Sequence, residues 1–326
     1  MKILIVRFSS IGDIVLTTPV VRCLKTQLDN AEIHYATKTQ FQSILESNPY
    51  IDKIFYLNES LNELILELKR EKYDVVIDLH NNLRTRILKW RLGVRSRSFN
   101  KLNIEKWLIV NFKINHLPDQ HIVERYLETT KYLGVKNDAL GLDYFIPDQD
   151  EVPWEWLPET YRTGFVAYAI GAQHETKKLP AARMIELCKK INRPIILLGG
   201  REDFENGEHV RSFIENENHN PSNKTVIHNA CGKFSLNQSA SIIKKADSVF
   251  SHDTGLMHIA AAFKKEVYSI WGNTIPAFGM YPYRTKYHSL ENLNLGCRPC
   301  SKIGFQKCPK GHFKCMNEMK FDFVLR

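Results

Sequence analysis

Short, wholly apolar runs alternate along the chain with stretches in which apolar residues recur every third or fourth position. The first kind predicts strands buried on both faces, the second amphipathic helices. On this reading Lys2–Phe8 is a strand built on Ile3-Leu4-Ile5-Val6, and Ile14–Leu28 is a helix with Val15, Leu16, Val20, Val21 and Leu24 on one face. Strands follow at Glu32–Ala36, Lys53–Leu57 and Tyr73–Leu79. Between them lie a short helix at Phe41–Ser47 and a helix at Ser60–Glu71 with Leu61, Leu64, Ile65 and Leu68 at helical spacing. Such alternation implies βαβ units and a parallel sheet.

The pattern lapses at residues 147–158, where Pro147, Pro153 and Pro158 accompany a run of acids, the signature of a linker. It then resumes, with strands at Gly164–Gly171, Pro194–Leu198, Thr225–His228, Ser248–Ser251 and Val267–Trp271. Helices are expected at Pro180–Lys190, Glu205–Asn216, Ser235–Ala246 and Gly255–Phe263. The expected fold class is α/β, with two Rossmann-like domains over residues 1–150 and 151–326. Ligands of open parallel sheets bind beyond the carboxyl ends of the strands. Two such sheets put the expected site in the cleft between them.

A chain of 326 residues, 43% hydrophobic and 25% charged, can bury two cores and is neither disordered nor low-complexity. No apolar run approaches the roughly 18 residues of a membrane span. Met1-Lys2 leads straight into a strand without signal-peptide features, so the expected location is cytoplasmic. The net charge of +9 is concentrated: nine basic residues (Arg84, Arg86, Lys89, Arg91, Arg95, Arg97, Lys101, Lys106, Lys113) face one acid, Glu105. Such a block suits a polyanion (nucleic acid, a phosphorylated sugar or an anionic membrane) or is simply a solvated helix face. The interleaved Trp90, Phe99, Trp107 and Phe112 fit a membrane interface or ordinary packing.

Several polar turns fall between a strand and a helix, where backbone N–H groups collect anions. Arg7-Phe-Ser-Ser-Ile-Gly-Asp13 carries Ser10, Gly12 and Asp13; Asp13 reads either as a reactive carboxylate or as the cap of a helix starting at Ile14. Ser251-His-Asp-Thr-Gly-Leu-Met-His258 offers Asp253, Thr254 and Gly255 for a diphosphate, with His258 as a further donor or a packed helix residue. Gly171–Pro180 brings Lys177 and Lys178, of which one at least reads as a surface lysine. Gly199-Gly-Arg-Glu-Asp-Phe-Glu205 offers acids for ribose hydroxyls or for a helix start. No Walker or Gly-x-Gly-x-x-Gly pattern is present. Of the seven cysteines, Cys23, Cys188 and Cys231 are isolated, whereas Cys297, Cys300, Cys308 and Cys315 cluster with His312 and make a structural zinc the candidate metal.

Together these motifs resemble the bacterial lipopolysaccharide heptosyltransferases of glycosyltransferase family 9. The opening Lys2-Ile-Leu-Ile-Val-Arg-Phe-Ser-Ser-Ile-Gly-Asp-Ile-Val-Leu-Thr-Thr-Pro19 is similar to that family's first signature. Cys231-Gly-Lys-Phe-Ser-Leu, then Ala246-Asp, then His252-Asp-Thr-Gly-Leu-Met-His-Ile-Ala-Ala-Ala262 is similar to its donor-site signature. The resemblance implies a GT-B fold, with an acceptor-binding N-terminal domain and a nucleotide-sugar-binding C-terminal domain that ends in the Cys-rich segment. It implies Asp13 as general base, Lys177 on the phosphates and Glu205 on the ribose. It also implies Phe234 beside the base, and Asp253, Thr254, Gly255, Leu256 and His258 on the donor turn. His252 departs from the small or polar residue usual there, and Phe234 from a smaller one. Arg84 and Arg86 lie in a looser match that implies acceptor binding.

The implied reaction is an inverting, metal-independent transfer of a heptose, or related sugar, from an ADP-sugar to the phosphorylated inner core of lipopolysaccharide. It needs no catalytic cofactor and takes place at the inner membrane's anionic surface, with peripheral attachment. A nucleotide-sugar epimerase of the same fold, a nucleic-acid-binding protein and a non-catalytic sugar-nucleotide sensor are the alternatives; no nucleic acid is expected as partner of a heptosyltransferase.

Overall fold

The computed structural model describes residues 1–217 and 224–325. They form two compact units, Met1–Leu102 with Gln120–Pro147, and Asn103–Asp119 with Asp148–Arg326.

The first unit holds strands β1 (Lys2–Val6), β2 (Glu32–Lys38), β3 (Lys53–Leu57), β4 (Val75–Asp78) and β5 (Ser96–Ser98). They make an all-parallel sheet in the order β3-β2-β1-β4-β5. Ile3, Leu4, Ile5 and Val6 are all fully buried, as a central strand covered on both faces must be. The helices are α1 (Ile11–Val15), α2 (Thr18–Gln27), α3 (Leu61–Arg70), α4 (Leu83–Leu92) and α6 (Ile122–Leu127); α5 (Asn103–Phe112) belongs to the second unit. The single helix expected at Ile14–Leu28 is broken in two. Thr17 and Thr18 hydroxyls bond the carbonyls of Ile14 and Val15 at 2.7 and 2.8 Å, and Pro19 has no N–H to continue the ladder. The predicted helix at Phe41–Ser47 is a 3-10 turn at Thr39–Ile44.

The second unit holds β6 (Val166–Ala169), β7 (Ile195–Leu198), β8 (Ile227–Asn229), β9 (Ser248–His252), β10 (Glu266–Trp271) and β11 (Tyr287–Glu291). Their order is β11-β10-β9-β6-β7-β8, again all parallel. Its helices are α7 (Glu159–Arg162), α8 (Ala181–Ile191), α9 (Phe204–Glu217), α10 (Leu236–Lys245), α11 (Gly255–Ala262) and α12 (Lys314–Asn317). Alternate residues of β6 and the residue before it serve opposite cores: Val166 and Tyr168 pack with α8, Phe165 and Ala167 with α10 and α11. The acidic, proline-punctuated stretch is part of this unit, since Val152, Leu157 and Tyr161 are buried in the core against α10 and α11.

In each sheet the strand order reverses beside the first strand, β1 or β6. The turns leaving β1 and β4, and those leaving β6 and β9, therefore flank the positions where such sheets take ligands.

Candidate active site

In the first unit, four side chains meet where β1 and β4 end. The Arg7 guanidinium is buried and fully engaged: Nε donates to the Ser9 carbonyl at 2.6 Å, and Nη1 to the Leu79 carbonyl at 2.6 Å and the Tyr126 hydroxyl at 3.2 Å. Its Nη2 stands 2.7 Å from Asp13 Oδ1. Asp13 Oδ2 accepts from the Ser10 N–H at 3.2 Å and the Ser10 hydroxyl at 2.9 Å. The helix starts at Ile11, not Ile14, so Asp13 is its third residue and not its cap; Ser10 takes the cap position. Burial opposes ionisation of Asp13, but the Arg7 charge and the two Ser10 donors outweigh it and hold the carboxyl below the usual carboxylate range. Gly12 is buried in the same short helix.

His80 follows β4, edge-on to Phe8 with ring centroids 5.6 Å apart. Burial first, then the charges of Arg7 and Lys101, push its pKa down to about 4, so the ring is neutral near pH 7. Its Nδ1 is buried without a hydrogen-bond partner. The preceding Asp78 accepts from the His80 and Asn81 N–H groups at 3.0 and 2.7 Å and pairs with Lys89 at 2.7 Å, which fixes the turn into α4. Arg84 and Arg86 lie exposed on α4.

In the second unit, Asp253 follows β9 and its Oδ2 lies 2.6 Å from Lys177 Nζ and 3.0 Å from the Thr274 hydroxyl that donates to it. Thr254 holds the cap position of α11 without a side-chain cap bond. The N–H groups of Gly255 and Leu256 have no intrahelical acceptor and point out of the positive end of the helix. His258 is buried within α11, and Phe234 and Leu256 pack half-buried on the core beneath.

His252 binds this turn to the lysine loop. Leu179 N–H must donate to His252 Nε2, at 3.0 Å, so Nδ1 carries the proton and donates to the Ile170 carbonyl at 3.0 Å. Burial lowers its pKa to about 3, which keeps it neutral in this role. Sequence reasoning registered His252 only as a departure; a histidine directly before an Asp-Thr-Gly turn was the available signal. Lys178 is not a free surface lysine: it pairs with Asp203 at 3.0 Å and Glu175 at 2.9 Å. Asp203 also accepts the Gly200 N–H at 3.0 Å. The turns fit closely around it, since a Cβ at Gly171 or Gly199 would stand 2.5 or 2.9 Å from Asp203 Oδ2. Glu205, in the first turn of α9, is exposed.

The Cys-rich segment braces the same loops. Thr176 N–H donates to the Phe305 carbonyl at 3.1 Å and its hydroxyl accepts from Phe305 N–H at 2.8 Å, while Arg298 donates to the Thr274 carbonyl at 2.9 Å. Cys297 Sγ is 3.9 Å from His312 Nε2, and the Cys300 thiol donates to the Cys297 carbonyl at 3.1 Å. All four of its thiols are free. The only group of three ligand-type side chains among the described residues whose donor atoms lie within 4.8 Å of one another is Glu32, His34 and Glu71, which Lys2 and Lys53 already neutralise. No three of the thiols of Cys297, Cys300, Cys308 and Cys315 lie within 4.8 Å of one another. Cys315 packs in the apolar core beside Met316. No helix among the described residues is long and apolar enough to cross a membrane.

The profile of "Glycosyltransferase family 9 (heptosyltransferase)" matches residues 61–309. Lipopolysaccharide heptosyltransferase 1 of Campylobacter coli is 27% identical over 294 residues, 84% of each chain. Lipooligosaccharide heptosyltransferase 2 of Haemophilus influenzae is 24% identical over 299 residues, 85% of each. Among solved structures, E. coli ADP-heptose lps heptosyltransferase II superposes with a TM-score of 0.71 at 18% identity, covering 98% of both chains. E. coli heptosyltransferase WaaC with ADP gives 0.67 at 21% identity, covering 93% of this chain and 96% of that one. The paired parallel sheets are thus those of the GT-B heptosyltransferases. With the profile spanning most of its length, the chain belongs to glycosyltransferase family 9, the heptosyltransferases.

Proposed function

We propose that this glycosyltransferase moves a heptose, or a closely related sugar, from an ADP-sugar to the phosphorylated inner core of lipopolysaccharide, by an inverting and metal-independent route. The observation that carries the reading is the Lys177 ammonium held 2.6 Å from Asp253 beside the open amino end of α11. The names of its relatives support the chemistry, as does the fact that WaaC has been solved with ADP and with ADP-2-deoxy-2-fluoro heptose.

Asp13, ionised at neutral pH, takes the proton of the acceptor hydroxyl. The acceptor oxygen bonds the anomeric carbon on one face while the bond to the diphosphate oxygen breaks on the other, which inverts the centre. Lys177 and the N–H groups of Gly255 and Leu256 receive the charge that grows on the departing ADP. These groups supply the electrostatic stabilisation themselves, and no step is assigned to a metal. Glu205 binds ribose hydroxyls, Phe234 lies beside the base, and Arg84 and Arg86 hold acceptor phosphates. The enzyme works at the anionic cytoplasmic face of the inner membrane.

The test is to incubate the enzyme with ADP-heptose and a heptose-deficient inner-core acceptor, following ADP release and acceptor mass. Calorimetry against ADP, UDP and GDP reads the donor site alone. Acceptor-dependent ADP release and tightest binding of ADP are expected. Sugar isomerisation without acceptor would move the chain to the epimerase reading, and a steeply salt-dependent complex with nucleic acid to the other.

A further inference from the structure

Helix α4 is apolar on two opposite faces. Thr85 and Leu88 are buried and Leu92 is partly buried, and they face the sheet at positions spaced three and four apart. Leu83, Ile87 and Trp90 repeat that spacing on the far side, and they are 72%, 39% and 82% exposed. At 100° per residue these three lie within about 60° of arc, opposite the buried stripe. Arg86 borders them on one side, Arg91 and Arg84 on the other. The helix contains no acid. Lys89 is spent on the buried Asp78, and Arg91 contacts the neutral Asn62. Arg84 and Arg86 make no ion pair among the described residues. A Leu–Ile–Trp stripe between uncompensated guanidiniums has the composition of a helix that lies in a bilayer interface, its indole at headgroup level.

We infer that α4 docks on an anionic bilayer, seating Leu83, Ile87 and Trp90 at the headgroup–acyl boundary, with Arg91 on lipid phosphates and Arg84 and Arg86 on those of the acceptor embedded in the same bilayer. This rests on the membrane-surface reading above and assigns that contact to one helix face. Charge complementarity selects the occupant: a second copy of this chain, at net +9, would bring like charges together. A ten-residue helix buries little, so binding should need anionic lipid and should weaken as salt rises.

The experiment is vesicle co-sedimentation of the full chain. It compares vesicles of phosphatidylglycerol with phosphatidylethanolamine against vesicles of phosphatidylcholine alone, at low and high salt. The wild type should bind the anionic vesicles and leave the neutral ones. The triple variant Leu83→Ser, Ile87→Ser, Trp90→Ser should bind roughly tenfold or more weakly, and Arg91→Glu should bind more weakly with a shallower salt dependence. ADP-induced thermal shift, read in parallel, should match wild type in both, showing folded protein and an intact donor site. Undiminished vesicle binding by the triple variant overturns the inference. So does equal binding to neutral vesicles, or a wild-type dimer in sedimentation velocity that the triple variant dissolves. Loss of the ADP shift in the wild type would instead count against the donor reading, so the two failures are distinguishable.

Discussion

Lys177 and Asp253, 76 positions apart, form an ion pair at 2.6 Å at the mouth of α11, and a third side chain, Thr274, completes the carboxylate's contacts at 3.0 Å. An aspartate beside a diphosphate site would repel it; Lys177 cancels that charge and keeps an ammonium beside the helix end. The neighbouring Lys178 serves Asp203 and Glu175.

The two lysines should therefore separate. Lys177→Ala is expected to lower kcat/KM by about 10–1000-fold, as loss of one transition-state donor does, while melting close to wild type. Lys178→Ala leaves the buried Asp203 short of its cation and should cost about 1–3 kcal/mol of stability, with a smaller effect on turnover at low temperature. Steady-state kinetics and melting curves for both decide; equal kinetic losses with equal melting temperatures would contradict the division of labour.

Asp13→Asn keeps the volume and the helix position but cannot take a proton. Transfer should fall about 10²–10⁴-fold, with the ADP-induced thermal shift retained. Turnover near wild type would mean that the carboxylate only ties down Ser10.

The charge on Asp13 depends on Arg7. Because its pKa is depressed, Asp13 stays ionised through the physiological range, and the acid limb of kcat/KM should lie below the usual carboxylate region. Arg7→Met removes the cation, leaves the buried carboxyl to its desolvation, and should move that limb up by about 1–3 pH units. Arg7→Lys should restore part of the shift. A pH–rate profile unmoved by Arg7→Met would show that another group controls it.

His252 couples stability to acid. Unfolded, it titrates near the ordinary histidine value of about 6.5; folded, burial lowers it to about 3. Below the unfolded value the open chain takes up a proton that the native state refuses. The stabilisation is complete above that pH and declines as pH falls toward 3, by at most about 1.4 kcal/mol per pH unit. Melting temperature should drop more steeply between pH 6.5 and 5 in the wild type than in His252→Gln, which stays neutral and can still accept from Leu179. Parallel slopes would rule out His252 as the proton acceptor.

Much of this molecule was legible in its sequence. Ile3–Val6 and Ile195–Leu198 are wholly apolar because helices cover both faces, and that signal is local. The edge strands Ser96–Ser98 and Tyr287–Glu291 were not legible because most of their residues meet water and no apolar run marks them. The split at Thr17–Pro19 was masked by apolar residues that keep helical spacing across the break. Polar turns after β1, β6 and β9 were readable as strand-to-helix junctions, since glycine and hydroxyl residues interrupt both periodicities. Contacts spanning 72 to 119 residues, such as Arg7 with Leu79 and Tyr126, were not, because only the folded sheet brings those positions together.

The close packing of Gly171 and Gly199 around Asp203 bears on any effort to retarget this enzyme to other sugar nucleotides. Any side chain at Gly171 would meet a carboxylate that Lys178 holds in place, so randomising that position should cost stability. Diversity is better spent at Glu205, which is exposed and has no ion pair to break among the described residues.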